Sequence, residues 1–164
     1  MRKSLSAALV TLIAFLLFAV NVQAADPLSV RKSLNLTIAK QLAAAAEAEA
    51  LQNKWNVVIA LVDAGGHLVY LQRIDNTQHG SVDIAIQKAQ TAVAFKRPTK
   101  AFEDGLASGR TGLLRLNVLP LEGGVPLIVG GEVVGAVGVS GLTSQQDGMV
   151  AKAAADALAK LAGG

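Results

Sequence analysis

At 164 residues the chain has room for one domain with a substantial core. It contains no cysteine, which excludes a disulfide framework, a thiolate nucleophile and any cysteine-built metal site. The formal net charge is +3, but the bases are neither clustered nor interleaved with aromatic residues, so no nucleic-acid partner is expected.

Residues 1–24 read as a secretory signal peptide. Arg2 and Lys3 form a basic n-region, Leu5 to Val20 an apolar run, and Val22-Gln23-Ala24 a small-residue cleavage site. The run is short for a membrane span and no stop-transfer pattern follows it, so no stable span is expected once the signal is removed. The product is then expected in the periplasm or outside the cell, with residues 25–164 as a single domain. Loss of Arg2 and Lys3 brings the mature chain close to neutral.

From Asp26-Pro27 or Ser29 the pattern predicts a long helix to about Asn53, with Leu34, Ile38 and Leu42 on one face and an alanine run at 43–46. Trp55 to Val62 is almost continuously apolar, the signature of a strand covered on both faces. Asp63-Ala64-Gly65-Gly66 is a turn, and His67 to Arg73 is the return strand. A polar loop, Ile74 to Gly80, leads to a helix from Ser81 with Asp83 in its first turn and Val82, Ile86, Ala89 and Val93 as its inward stripe. Lys96 and Arg97 suit its C-terminal end, and Pro98 stops it. Thr99 is placed to cap a short helix over 100–107. A loop or short helical turn carrying Arg110 and Arg115 follows.

The densest stretch is Leu119 to Asp147. Glu122-Gly123-Gly124 is a turn, Val125 to Val129 a strand, Gly130-Gly131 a two-residue hairpin loop, and Glu132 to Ser140 the returning strand. Gly135 and Gly138 interrupt that strand where bulk would be expected, which marks either a close approach by a ligand or another backbone or a twisted strand under a packed helix. Thr143 and Gln146 have the spacing of a capping box for a last helix, with Val150, Ala154, Ala157 and Leu161 inward.

Two hairpins among helices predict an α+β architecture rather than alternating strand–helix winding. The dinucleotide, P-loop, nucleophile-elbow and HExxH signatures are absent, and residue chemistry alone names no reaction. His67 and His79 are the only histidines. His67, at a turn edge, reads as solvated. His79, in a loop ahead of a helix, is the candidate metal ligand.

The blocks ALVDAGGHLVYLQRID, IAIQKAQTAVAFKRPT and LPLEGGVPLIVGGEVVGAVGVSGLTSQQD resemble, in order, those of the GlcG/HbpS family of haem-binding, in part haem-degrading, proteins. That family is related to the C-terminal domain of PduO-type cobalamin adenosyltransferases. The resemblance covers residues 28–162. It implies a profilin-like α/β/α sandwich whose central antiparallel sheet is built from two β-hairpins, and it implies a homo-oligomer. The matched positions imply a ligand site at Lys88, Arg97, Thr99, Glu122, Gly123, Gly124 and Asp147, with Thr99 as the counterpart of a threonine implicated in some members. The histidine that ligates haem near the N-terminal helix of other members has no counterpart, because no histidine lies between Ala25 and Asn53.

Haem is therefore the expected cofactor. Lys88, Arg97 or Arg110 are available for propionates, and Phe95, Leu113, Leu119 and Val125 for apolar walls. Two other readings stand beside it: an enzyme or binding protein for a small organic acid or corrinoid, with Lys88 and Arg97 as an anion clamp, and a non-catalytic oligomeric accessory or sensor partner.

Overall fold

A computed structural model describes residues 28–163. The segment read as a signal peptide and the helix start at Asp26-Pro27 lie outside them. The main folded unit begins at Arg31. Its first helix, α1 (Leu36–Gln52), starts later than Ser29. The reason is local: the Leu34 N–H donates to the Val134 carbonyl at 2.8 Å, holding residue 34 against a strand, and the Asn35 side chain accepts from the Ile38 N–H at 2.9 Å as the N-cap. Asn53 ends the helix, its amide donating back to the Glu49 carbonyl at 2.8 Å.

Two hairpins follow as expected. Strands β1 (Val58–Asp63) and β2 (Leu68–Arg73) form the first, and β3 (Gly124–Val129) and β4 (Glu132–Ser140) the second. They join through β1 and β4 into one sheet of order β2-β1-β4-β3, antiparallel throughout. Gly130 and Gly131 both have positive φ, 60° and 81°, as a tight two-residue hairpin loop requires. Between the hairpins lie α2 (Ser81–Phe95), α3 (Lys100–Ala107) and a 3-10 turn over Thr111–Arg115. The last helix, α4 (Ser144–Ala162), opens on the Thr143–Gln146 capping box.

Helices cover both faces of the sheet. Ile59, Leu61, Val137 and Val139 face α1 and α4, in a core built largely from Leu42, Ala43, Ala46, Val150 and Ala154. Val58, Ala60, Val62 and Ala136 face α2. Alternation along β1 thus fills both cores, which explains its continuous apolar run.

Two expected stripes shift. Leu161 is 52% exposed, and Leu158, three residues earlier, is buried in its place. On α2 the deepest positions are Ala85, Lys88, Ala89 and Ala92, while Val82 and Ile86 are only partly buried. The sheet explains why. Gly138 pairs with Ala60 on one side and with Gly124 on the other, and this row of small residues lets the α2 backbone come down onto the strands.

Candidate functional site

The close approach of α2 carries Lys88 into the core. Its side chain is 3% exposed, and its ammonium donates to Asp147 Oδ2 at 2.7 Å and to the Val139 carbonyl at 3.0 Å. Asp147 stands in the first turn of α4, and its second oxygen accepts the Leu142 N–H at 3.1 Å. Burial pushes the Asp147 carboxyl above the ordinary aspartate value, and the Lys88 ammonium opposes that rise. A buried charge needs a partner of this kind, so α2 and α4 are tied across the end of the sheet.

The Glu122-Gly123-Gly124 turn closes over this pair. A side chain at Gly123 would stand 2.9 Å from Lys88 Nζ and 2.9 Å from Asp147 Cβ. Its φ of 124° also suits only glycine. Gly124 lies against the Lys88 backbone and 2.6 Å, at its missing Cβ, from the Thr99 methyl. Thr99 is fully buried. It heads α3 without capping it through its side chain. Its hydroxyl instead accepts the Gly124 N–H at 2.8 Å, and its own N–H donates to the Gly124 carbonyl at 3.0 Å.

Glu122 is only partly buried. Its backbone N–H donates to Glu103 Oε2, and its carboxyl lies against Gly148 of α4. Partial burial raises the Glu122 carboxyl above its usual range. Lys100, 4.0 Å away, pulls it back, and Glu103 and Asp104 push it further up.

Of the residues singled out in the sequence, Lys88, Thr99, Glu122, Gly123, Gly124 and Asp147 thus meet in one place. Arg97 does not join them. It sits just beyond the end of α2, past the left-handed Lys96, and it lies exposed over the Phe102 ring with its Nε donating to the Phe95 carbonyl. Lys88 faces Asp147 rather than a free anion. His79 is exposed in the loop before α2. Among the described residues, no group of three or more His, Asp or Glu side chains stands close enough to hold a metal ion.

An open cleft of about 380 Å³ lies on another side of α2. Gln87, Gln90, Thr91 and Ala94 form one wall, the Gly65-Gly66 turn a second, and Asn117 to Leu119 a third. Hydrogen bonds hold the walls together: Gln90 donates to the Gly66 carbonyl at 3.2 Å, and the Thr91 hydroxyl accepts the Leu119 N–H at 2.9 Å. No charged side chain lines it. Of these residues the sequence had pointed only to Leu119 as a pocket wall, and Gln87, Gln90, Thr91 and Asn117 went unmarked. The available signal was the spacing of Gln87, Gln90, Thr91 and Ala94, which share one helix face.

His67 follows the Gly65-Gly66 turn. Its Nδ1 is 3.4 Å from Asp63 Oδ1, and that carboxylate also accepts the Gly65 and His67 N–H groups at 2.8 and 3.0 Å. The His67 backbone N–H, above all, holds the Asp63 carboxyl below its ordinary value. Slight burial opposes this, and the Gly65 N–H and the imidazole add to it.

Comparison with known proteins agrees with this fold. The chain is similar to protein GlcG of Escherichia coli K12, with 47% identity over 108 residues, 65% of this chain and 81% of that protein. The crystal structure of HbpS superposes with a TM-score of 0.73 at 31% identity, covering 79% of this chain and 93% of that one. The crystal structure of a PduOC–haem complex superposes with a TM-score of 0.68 at 32% identity, covering 76% and 94%. Residues 34–156 match the family described as haem degrading protein HbpS-like, and the chain belongs to that HbpS-like family.

Proposed function

We propose that this protein binds haem and works outside the cytoplasm. The observation that carries the first part is that the family description and a structural relative in complex both name haem. Haem asks for an apolar slot, an iron ligand and cations for two propionates. The cleft supplies Val93, Ala94, Val118 and Leu119 as apolar surface. Lys96 and Arg97 follow directly on α2, with no carboxylate of the described residues within 4.0 Å of either. When bound, haem supplies an iron centre that takes an axial ligand from the protein. Of the chain's own residues, Lys96 and Arg97 would pair the propionates.

Titration of haemin into the protein lacking residues 1–24 should give a saturable Soret band distinct from that of free haemin. A spectrum that stays that of free haemin across the titration overturns the proposal.

Export rests on the basic n-region, apolar run and cleavage site of residues 1–24. No helix among the described residues is long and apolar enough to cross a membrane. The secreted or periplasmic fraction of expressing cells should yield a protein whose sequence begins at Ala25. Recovery only of membrane-bound material that still begins at Met1 contradicts export with cleavage.

A further inference from the structure

We infer that a second cavity, across the sheet from α2, binds a small aliphatic carboxylic acid. This groove of about 310 Å³ lies between the segment leading into α1, the β3–β4 hairpin and α4. Five of its lining residues are aliphatic: Leu34, Ile38, Val129, Val134 and Leu158. All five belong to the core under α1 and α4 or pack against it, whereas the cleft beside α2 lies on the other face. The floor is fixed by the protein's own packing. Leu34, Val134 and Leu158 are buried, and the Leu34 N–H donates to the Val134 carbonyl at 2.8 Å.

The remaining lining residues, Lys32, Ser33 and Asn35, make one polar end, and no acidic side chain lines the groove. That end offers donors. Asn35 Oδ1 is occupied by the Ile38 N–H at 2.9 Å, which leaves the amide nitrogen to donate. Ser33 Oγ accepts the Ala64 N–H at 3.2 Å, which leaves its proton to donate. Lys32 has no carboxylate of the described residues within 4.0 Å. An aliphatic chain with a carboxylate head suits both parts: the chain takes the apolar walls out of water, and the head accepts from Lys32 and its two neighbours. A neutral chain leaves the donors without a charged acceptor, and an amine head meets Lys32 with like charge. The groove is at the small end of ligand pockets, which run from roughly 300 to 1,000 Å³, so it fits a free acid of medium length rather than a membrane lipid.

Calorimetric titration of the purified protein with octanoate, hexanoate, 1-octanol and octylamine, each below its micelle concentration, tests this. Octanoate should bind, and hexanoate roughly tenfold more weakly, because each buried CH₂ is worth about fourfold in affinity. 1-Octanol and octylamine should each bind at least about threefold more weakly than octanoate. Lys32→Glu should reverse the order of octanoate and octylamine. Lys32 is exposed, so that variant should keep the parent's circular dichroism and melting temperature. Val129→Phe fills the groove from the hairpin side and should abolish octanoate binding, and Ile38→Trp fills it from α1 should the first variant fold poorly. Octylamine binding the parent as tightly as octanoate overturns the inference. So does unchanged octanoate binding in a folded groove-filling variant. Binding of none of the four probes overturns it as well, and if Val129→Phe then turns a sedimenting dimer into a monomer, a second copy covers the groove instead. Octanoate should leave the haemin titration unchanged, so failure of haemin to bind defeats the haem reading alone.

Discussion

Lys88→Met should lower the melting temperature by about 10 °C or more. Removing one partner of a buried ion pair leaves the other charge unpaired in the core, a loss of about 3–5 kcal/mol, and in a domain of this size each kcal/mol shifts the midpoint by roughly 2–4 °C. Both side chains of the Lys88–Asp147 pair are only 3% exposed, so water cannot replace the missing partner. The double variant Lys88→Met, Asp147→Leu should recover at least about 2 kcal/mol of the loss, since a buried pair replaced by apolar groups is often near neutral. Recovery should be incomplete, because the Leu142 N–H then loses its acceptor. A single variant within about 1 kcal/mol of the parent at neutral pH would show that the pair is not held as described.

The pH dependence has a definite sign. Burial raises the folded-state pKa of Asp147 above its ordinary 3.8, and loss of Lys88 removes the strongest influence that lowers it. A carboxyl whose folded pKa is raised contributes stability that is fully present below the unfolded value and lost as pH rises through the folded value. The deficit of Lys88→Met should therefore be smallest in acid and widen towards neutrality. Chemical denaturation at several pH values reads it, and a deficit that shrinks as pH rises contradicts the account.

Gly138→Ala should be at least as damaging. Its new Cβ would fall on the Ala85 carbonyl and stand 2.6 Å from the Ala89 nitrogen. Both are backbone atoms of α2, so no rotamer change relieves the clash and the helix must lift. Overpacking a core usually costs about 1–3 kcal/mol. Here lifting α2 also draws Lys88 from Asp147, so a loss above about 3 kcal/mol and poor soluble yield are expected. Gly112→Ala is the control: nothing lies within 4 Å of its would-be Cβ, and its unfolding free energy from urea denaturation should stay within about 0.5 kcal/mol of the parent's. Parent-like stability in Gly138→Ala would mean that α2 does not rest on β4 as closely as described.

The positions of these two effects were unequally visible in the sequence. Gly138 signalled either a close approach or a twisted strand under a packed helix. Whether a ligand or a backbone came close was not decidable from neighbours along the chain; the structure supplies the backbone of α2. Lys88 read as part of an anion clamp. Its partner lies 59 positions away, and only the descent of α2 onto the Ala60–Gly138–Gly124 row brings the two together. The cleft was missed for the same reason: Gln87, Gln90 and Thr91 become a wall only when the Gly65-Gly66 turn and the Asn117–Leu119 segment fold against them.

By itself the sequence determined the features that depend on near neighbours. Both hairpins, the Gly130-Gly131 loop, the Asn53 stop and the Thr143–Gln146 box follow from residues within a few positions of one another, where backbone conformation and capping are settled. Tertiary structure alone decided where α1 begins, because the Leu34 N–H answers to Val134, a hundred residues on. It also decided that Leu158 rather than Leu161 is buried, and that Lys88 faces Asp147 while Arg97 stays outside. Each of these depends on which surface arrives from elsewhere in the chain, and on the free energy of burying charge and apolar area against it, which no local pattern encodes.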